Sequence, residues 1–286
     1  RVKKIYRSIG YKREIFFMDS NDWRLIQDPL GEGSLNMLTD RAILLACSEG
    51  EVPPTLRLYG WERPTLSIGY SQDITKDIDI DDCERKNIPV VRRFTGGRAL
   101  LHQHELTYSL IVPIPYPGFP GSLRRAFNTV SKAIVESLKI AGIRDIGMAG
   151  NKSGGRGSRR SPACFSMANH CEIMVRGKKL VGSAQRRLGS AFLQHGSILL
   201  DSDPNLTHGL LKYSSETEQQ MGLEALIANT ISLKQILHQA PKFDTVNQWF
   251  KEGFQKSFPG DWNEEKLSQY ESNFIKNWEC RNNFTR

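Results

Sequence analysis

The stretch Arg92–Ser109 reads RRFTGGRALLHQHELTYS. Two arginines lead into a Gly-Gly pair, a third arginine follows it, and two histidines precede the run LTYSLIV (106–112). That run has the apolar and β-branched content of a strand. Glycines between strands let a backbone approach another molecule closely, because no Cβ intrudes. Their N–H groups can bind a carbonyl or an anion. A tight hairpin corner with solvated arginines is the other reading. Spacing alone leaves both open.

Outward from this stretch, PVVRRF (89–94) reads as a strand with LTYSLIV as its expected partner. LRLYGW (56–61) and TLSIGY (65–70) read as a strand pair across a Glu-Arg-Pro turn. Ser34 is placed to cap a helix over 35–49, and DIDIDDCERKN (77–87) reads as a short acidic helix. Ser122 opens an amphipathic helix to Ala141, with Leu123, Phe127, Val130, Ile134 and Leu138 in the helical period. Residues 150–162, GNKSGGRGSRRSP, form a loop that no periodic pattern claims. CEIMV (171–175), KLVGSAQ (179–185) and FLQHGSILL (192–200) read as three consecutive antiparallel strands. Helices are expected at 205–212, 216–228, 232–239, 243–257 and 263–279. Strands followed by a helical tail make an α+β protein with one main sheet.

Composition excludes several classes. The 286 residues suit one large domain or one and a half, with 39% hydrophobic and 24% charged residues. No apolar run is long enough to span a membrane, which takes about 18 residues or more. The N-terminus is basic without an apolar h-region, so no signal peptide is expected. The formal charge is +8, but residues 1–17 set Arg1, Lys3, Lys4, Arg7, Lys12 and Arg13 against Glu14 alone. That segment reads as a basic extension, ahead of a mildly basic body. The basic residues are not interleaved with stacking aromatics, which argues against a nucleic-acid module. A mildly basic surface fits steering toward acidic proteins. Cysteines 47, 83, 164, 171 and 280 are odd in number, widely spaced and without CxxC. Neither a disulfide framework nor a metal site is expected. A reducing, cytoplasmic setting fits.

Cys164, in SPACF, differs from the other cysteines. It follows Lys152, Arg156, Arg159 and Arg160 and precedes Lys178 and Lys179 by one short strand. Cys47, Cys83, Cys171 and Cys280 lie in apolar or helical patterns and read as structural. A thiol acts as a nucleophile only as thiolate. At a pKa of about 8.5 only roughly 3% is ionised at neutral pH. One ammonium about 4 Å away, at an effective dielectric near 20, favours the anion by at most about 4 kcal/mol. A lysine from the next hairpin therefore suffices, without a Cys-His dyad. In GKKLVGSAQRR…LQHGS (177–197), Gly182, Ser183 and Gly196 leave room on one face of a sheet. Such a void admits an unbranched acyl chain; burying an eight-carbon tail is worth roughly 5 kcal/mol at about 0.8 per methylene. A bulge is the alternative.

Taken together and in this order, RRFTGGRALLHQHELTYS, PACF, GKKLVGSAQRR and LQHGSILLD resemble the biotin/lipoate A/B protein ligase superfamily. The resemblance covers about residues 30–215 and is nearest to the cysteine-dependent octanoyltransferase branch of the LipM type. It implies a biotin/lipoate protein ligase-like catalytic domain, with a mixed, largely antiparallel sheet flanked by helices. That domain would span 18–215, with 216–286 a helical C-terminal segment packed on it. It also implies transfer of octanoate from acyl carrier protein to a lysine of a lipoyl domain or the glycine-cleavage H protein, without a cofactor. By match to the family motif, Cys164 would carry the acyl thioester and Lys179 would lower its pKa and relay a proton. Arg93, Thr95, Gly96, Gly97, Arg98 and His102 would form one wall of an acyl tunnel and carbonyl cradle. Gly182, Ser183, Ala184, His195 and Gly196 would form the other. His102 matches a motif histidine whose role, structural or catalytic, stays open. ATP-dependent ligases of the superfamily usually carry a third glycine where this chain has Arg98. Transfer between two lipoyl-type proteins is the second alternative.

Overall fold

The computed structural model describes residues 22–148 and 172–283. The basic extension, the loop 150–162, Cys164 and Cys171 lie outside the described residues, as does the side chain of Cys280.

The first strand, β1 (Trp23–Gly31), was not anticipated: its first four residues are all buried, Arg24 among them, so no alternation marks it. Helix α1 (Gly33–Ser48) follows, and Glu32 rather than Ser34 caps it, accepting from the Leu35 N–H. The Ser34 hydroxyl donates to the same carboxylate instead. An anion at a helix N-terminus also meets the positive end of the helix dipole.

Strand β2 (Thr55–Trp61) is buried along its whole length. The expected hairpin with 65–70 does not form, because both edges of β2 are taken. β1 runs parallel along one edge, and β6 (Glu105–Pro113) runs antiparallel along the other. β3 (Thr65–Ile68) instead centres a small second sheet, between β4 (Val90–Arg92) and β5 (Leu100–His102). So 89–94 pairs with β3, not with LTYSLIV. Two short helices, α2 (Ile74–Asp77) and α3 (Ile80–Arg85), link β3 to β4.

The main sheet continues through α4 (Leu123–Ile140), β7 (Ile146–Met148), β8 (Ile173–Val175), β9 (Lys178–Leu188) and β10 (Ala191–Leu199). The three consecutive antiparallel strands expected here are β8, β9 and β10. After α5 (Pro204–Gly209), α6 (Glu216–Asn229), α7 (Leu233–Leu237) and α8 (Phe243–Ser257), the predicted helix 263–279 is replaced. A strand, β11 (Trp262–Glu264), precedes α9 (Gln269–Asn283). β11 pairs in parallel with β1, and Trp262 stacks on Trp23 with ring centroids 5.2 Å apart. That long-range pair overrides the local helical pattern. The sheet order is β11-β1-β2-β6-β10-β9-β8-β7.

Alternation along the strands assigns two faces. Leu25, Leu110 and Val112 point to a core with Val130 and Ile134 of α4 and Phe250 and Phe254 of α8. Ile26, Ile111 and Leu193 point the other way, onto Ile43 and Leu44 of α1. Gly253 lets α8 lie against α4; a Cβ there would run into the Ser137 backbone.

Candidate active site

The Gly-Gly stretch becomes the turn between β4 and β5, and both the exposed Arg92 and the buried Arg93 bind backbone carbonyls. Arg93 is buried, and its guanidinium donates to the carbonyls of Gly96, Arg98 and Ser67 and to the Ser67 hydroxyl. Arg92 Nη1 donates to the carbonyls of Gly69, Tyr70 and Gln72. Arg186 donates to the Phe94 carbonyl at 2.7 Å and lies over the Phe94 ring. The loop is thus tied down by cations that satisfy its carbonyls. Two glycines are needed on backbone grounds. Gly97 has φ +101, and a Cβ on Gly69 would collide with the Gly97 carbonyl.

Facing this loop are β9 and β10, with Gly182 opposite Ser197, Ser183 opposite Gly196, and Ala184 opposite His195. Between loop and strands lies a cavity of about 210 Å³. The loop side contributes Arg93, Gly97, Arg98 and His102. The strand side contributes Gly182, Ser183, Ala184, His195 and Gly196. Thr95 and Gly96 stand outside the lining: Thr95 is fully buried behind His195, and Gly96 is exposed, its carbonyl engaged by Arg93. One expectation needs correction. Gly196 does not open a void, because a Cβ there would meet the Gly182 carbonyl and the Ser183 hydroxyl at 2.6 Å and the Tyr108 ring at 2.8 Å. Glycine is required there by close packing.

Two histidines anchor buried polar relays. In the tautomer with its proton on Nδ1, His102 donates to Glu105 Oε1 at 2.7 Å. Nε2 then accepts from the Ser67 hydroxyl at 2.7 Å, and Ser67 in turn accepts from Arg93. Thr107 and Ser197 also donate to Glu105 Oε1, while Oε2 has no partner among the described residues. His102 stacks on Trp61 at 3.9 Å between centroids. The second relay is Asp40–His195–Thr95: Nδ1 donates to Asp40 Oδ2 at 3.2 Å, and Nε2 accepts from the Thr95 hydroxyl at 2.7 Å. Burial pushes the Asp40 carboxyl up, but the His195 hydrogen bond and the Arg57 guanidinium outweigh it and hold it below the usual range. The relays pin both walls, one through the loop and one through the floor.

Lys179 is buried, with Nζ 2.5 Å from Glu172 Oε1, and Glu172 itself lines the cavity. Their side chains are 1% and 3% exposed. The sequence predicts the lysine but not its carboxylate partner. The available signal was an acid at the head of the apolar strand CEIMV. Asp40 was missed likewise; it sits four residues after Asn36, on the buried side of α1. Met37, Tyr59, Leu100, Thr107 and Ser197 are the other lining residues the sequence reading did not name. The expectation that Cys47 and Cys83 are structural holds: both are buried, and burial pushes their thiols up to about 12 and about 11. No cluster of metal-binding side chains occurs among the described residues.

Comparison with known proteins fits this architecture. Residues 32–255 match the model of the lipoyl protein ligase A/B catalytic domain. The chain is 41% identical over 235 residues to an octanoyltransferase LipM from Kyrpidia tusciae, covering 81% of this chain and 85% of that protein. It is 34% identical over 261 residues to an octanoyltransferase LipM from Bacillus subtilis, covering 90% and 94%. Its fold matches a bipartite lipoate protein ligase from Thermoplasma acidophilum with a TM-score of 0.74 at 19% identity, covering 91% and 92%. It matches a lipoate-protein ligase A bound with ATP with a TM-score of 0.72 at 22% identity, covering 91% and 95%. The chain belongs to the lipoyl protein ligase A/B catalytic domain family.

Proposed function

We propose that this chain is an octanoyltransferase of lipoate biosynthesis, which moves octanoate from acyl carrier protein, through a thioester on Cys164, to a lysine of a lipoyl domain. The observation that carries the reading is a buried ammonium, Lys179, held beside a cavity in a chain whose relatives are named octanoyltransferases. The cavity is small beside drug-sized sites of roughly 300–1,000 Å³, which suits one unbranched chain. Burying that chain is worth about 5 kcal/mol.

In the first step the Cys164 thiolate attacks the donor thioester carbonyl. A new C–S bond forms, the donor's C–S bond breaks, and the carrier leaves as a thiol after protonation. In the second, the acceptor amine attacks the enzyme thioester, the amide C–N bond forms, and Cys164 leaves as thiolate while the nitrogen gives up its proton. The Lys179 ammonium favours the thiolate at the start and end of the cycle. The buried arginine ties around Gly96–Arg98 keep the cradle rigid, so little order is lost on binding.

Intact-protein mass spectrometry after mixing with octanoyl-acyl carrier protein tests the reading. One octanoyl adduct is expected on the native chain and none on Cys164→Ser, which should also abolish transfer. An adduct that survives on Cys164→Ser removes the assignment. Transfer that stops when ATP is withheld would favour the ligase chemistry of the superfamily, and equal use of octanoylated lipoyl protein as donor would favour transfer between lipoyl proteins.

A further inference from the structure

We infer that Glu172 is a positioning residue for the transfer, which keeps Lys179 charged and aims its ammonium toward the cavity; this rests on the thioester reading above. The register of the β8–β9 hairpin carries the argument. Ile173 lies opposite Val181, but Met174 lies opposite Lys179, so β9 spends two steps where β8 spends one. The extra residue is Leu180, and the irregularity is a β-bulge. Directly opposed residues share a face. Val181 therefore joins Ile173 on the apolar face, where both sit in the main core. Lys179 is turned to the face of Met174. By strand alternation that is also the face of Glu172, two residues before Met174. Without the bulge, Lys179 would share the face of Val181 and drive an ammonium into the core.

The pairing has a chemical consequence. A lysine taken out of water loses its proton readily unless an anion stays beside it. The Glu172 carboxylate at 2.5 Å supplies that anion, and it also reaches the cavity wall, which Lys179 does not among the described residues. Among the described residues, β9 also meets Met174 from β8, Ile198 of β10 opposite Val181, and Thr230 and Ile231 after α6. Lys178 points elsewhere, to the Ile227 carbonyl. The remaining titratable groups on the cavity wall are Tyr59, Arg93, Arg98, His102 and His195. The histidines and Arg93 are committed to the relays and the loop described above. Glu172 is thus the acid placed to hold the lysine in its charged form when the thiol must ionise.

The test is the pH profile of Cys164 alkylation by iodoacetamide, run with single-turnover acylation by octanoyl-acyl carrier protein. Glu172→Gln is expected to move the thiol's ionisation to higher pH. It should slow acylation at neutral pH by about 10- to 100-fold, mainly in the rate constant rather than in apparent carrier affinity. Glu172→Asp, which keeps the charge, should restore part of the rate and of the profile. In a Lys179→Ala background the Glu172→Gln change should have no further effect on the thiol. A Glu172→Gln profile identical to the native one overturns the inference while leaving the thioester reading intact. So does a thiol that ionises at lower pH, which would mean that the carboxylate only dampens the ammonium. So do additive effects of the two substitutions. No adduct on the native chain would overturn both readings. Should Glu172→Gln fail to fold, Glu172→Asp decides: an unchanged rate and profile in a folded Asp variant whose carboxylate is drawn back by one methylene overturns the aiming role.

Discussion

Two buried ion pairs sit in different parts of this molecule. Arg24 and Glu271 join the first strand to the last helix. The contact is bidentate, the side chains are 1% and 0% exposed, Arg24 Nε also donates to Thr55, and Glu271 caps the Ser268 N–H. Glu172 sits at the cavity wall and holds Lys179, which lies behind it, through a single nitrogen. The planar guanidinium matches a carboxylate on two bonds and cannot lose its proton. It is suited to holding two distant parts of the chain together. An ammonium is a compact charge that changes state when its surroundings change. The first pair fastens the fold, and the second, in the reading proposed above, adjusts a reaction.

The largest effect expected from this contrast is on stability. Glu271→Gln leaves a permanently charged Arg24 in the interior and should lower unfolding free energy by about 3–5 kcal/mol. Urea denaturation measures it. Transfer per folded molecule should stay at the native level. Glu172→Gln should do the reverse, costing less stability, because Lys179 can shed its proton, while transfer falls. If both variants lose stability equally and neither loses activity, the two pairs do the same job and the contrast is broken.

A smaller effect is expected with acid. Burial pushes the Glu271 carboxyl up, yet the Arg24 hydrogen bonds and charge outweigh it and leave it lowered, as is Asp40. A carboxyl lowered in the folded state contributes fully above the ordinary range of about 4 and loses that contribution as pH falls through the folded value. Urea midpoints should therefore be level near neutrality and fall steeply below about pH 4. Glu271→Gln should flatten part of that fall. A native chain with midpoints independent of pH down to 3 would contradict the account.

The smallest effect is a silence. With thiols pushed up to about 12 and about 11 by burial, Cys47 and Cys83 should alkylate in the native protein at least about 100-fold more slowly than an ordinary thiol of pKa about 8.5. Peptide mapping after brief iodoacetamide treatment at pH 8 reads this. Rapid labelling of either would show that local opening reaches the interior away from the cavity.

Much of the cavity was legible because its residues are close in sequence. The turn between β4 and β5 and the β9–β10 hairpin are local units: glycine placement marks Gly182, Ser183 and Gly196, while Arg93, Arg98, His102 and His195 are legible only through the family resemblance of their contiguous motifs. Asp40 was hidden because it reaches His195 from α1, 155 residues away in sequence, packed on the same face of the sheet as Leu193. Gly196 was visible but misread: sequence reports that a side chain is missing, not whether a neighbour such as Tyr108 fills the place. The pairing of 56–61 with 65–70 failed because a short connection favours a hairpin only when an edge is free, and β1 and β6 already hold both edges of β2.

The amino-acid order by itself determined the local elements: where α4 and α8 begin and end, the antiparallel run of β8, β9 and β10, and the glycine turn that needs a positive φ. Propensity, capping and alternation act over a few residues and can be read there. Only the tertiary structure decided which strands share a sheet, why 262–264 is a strand, and which acid meets Lys179. Those outcomes depend on contacts between residues far apart in the chain, or on a one-residue bulge that turns a side chain from one face to the other, and no local pattern encodes either.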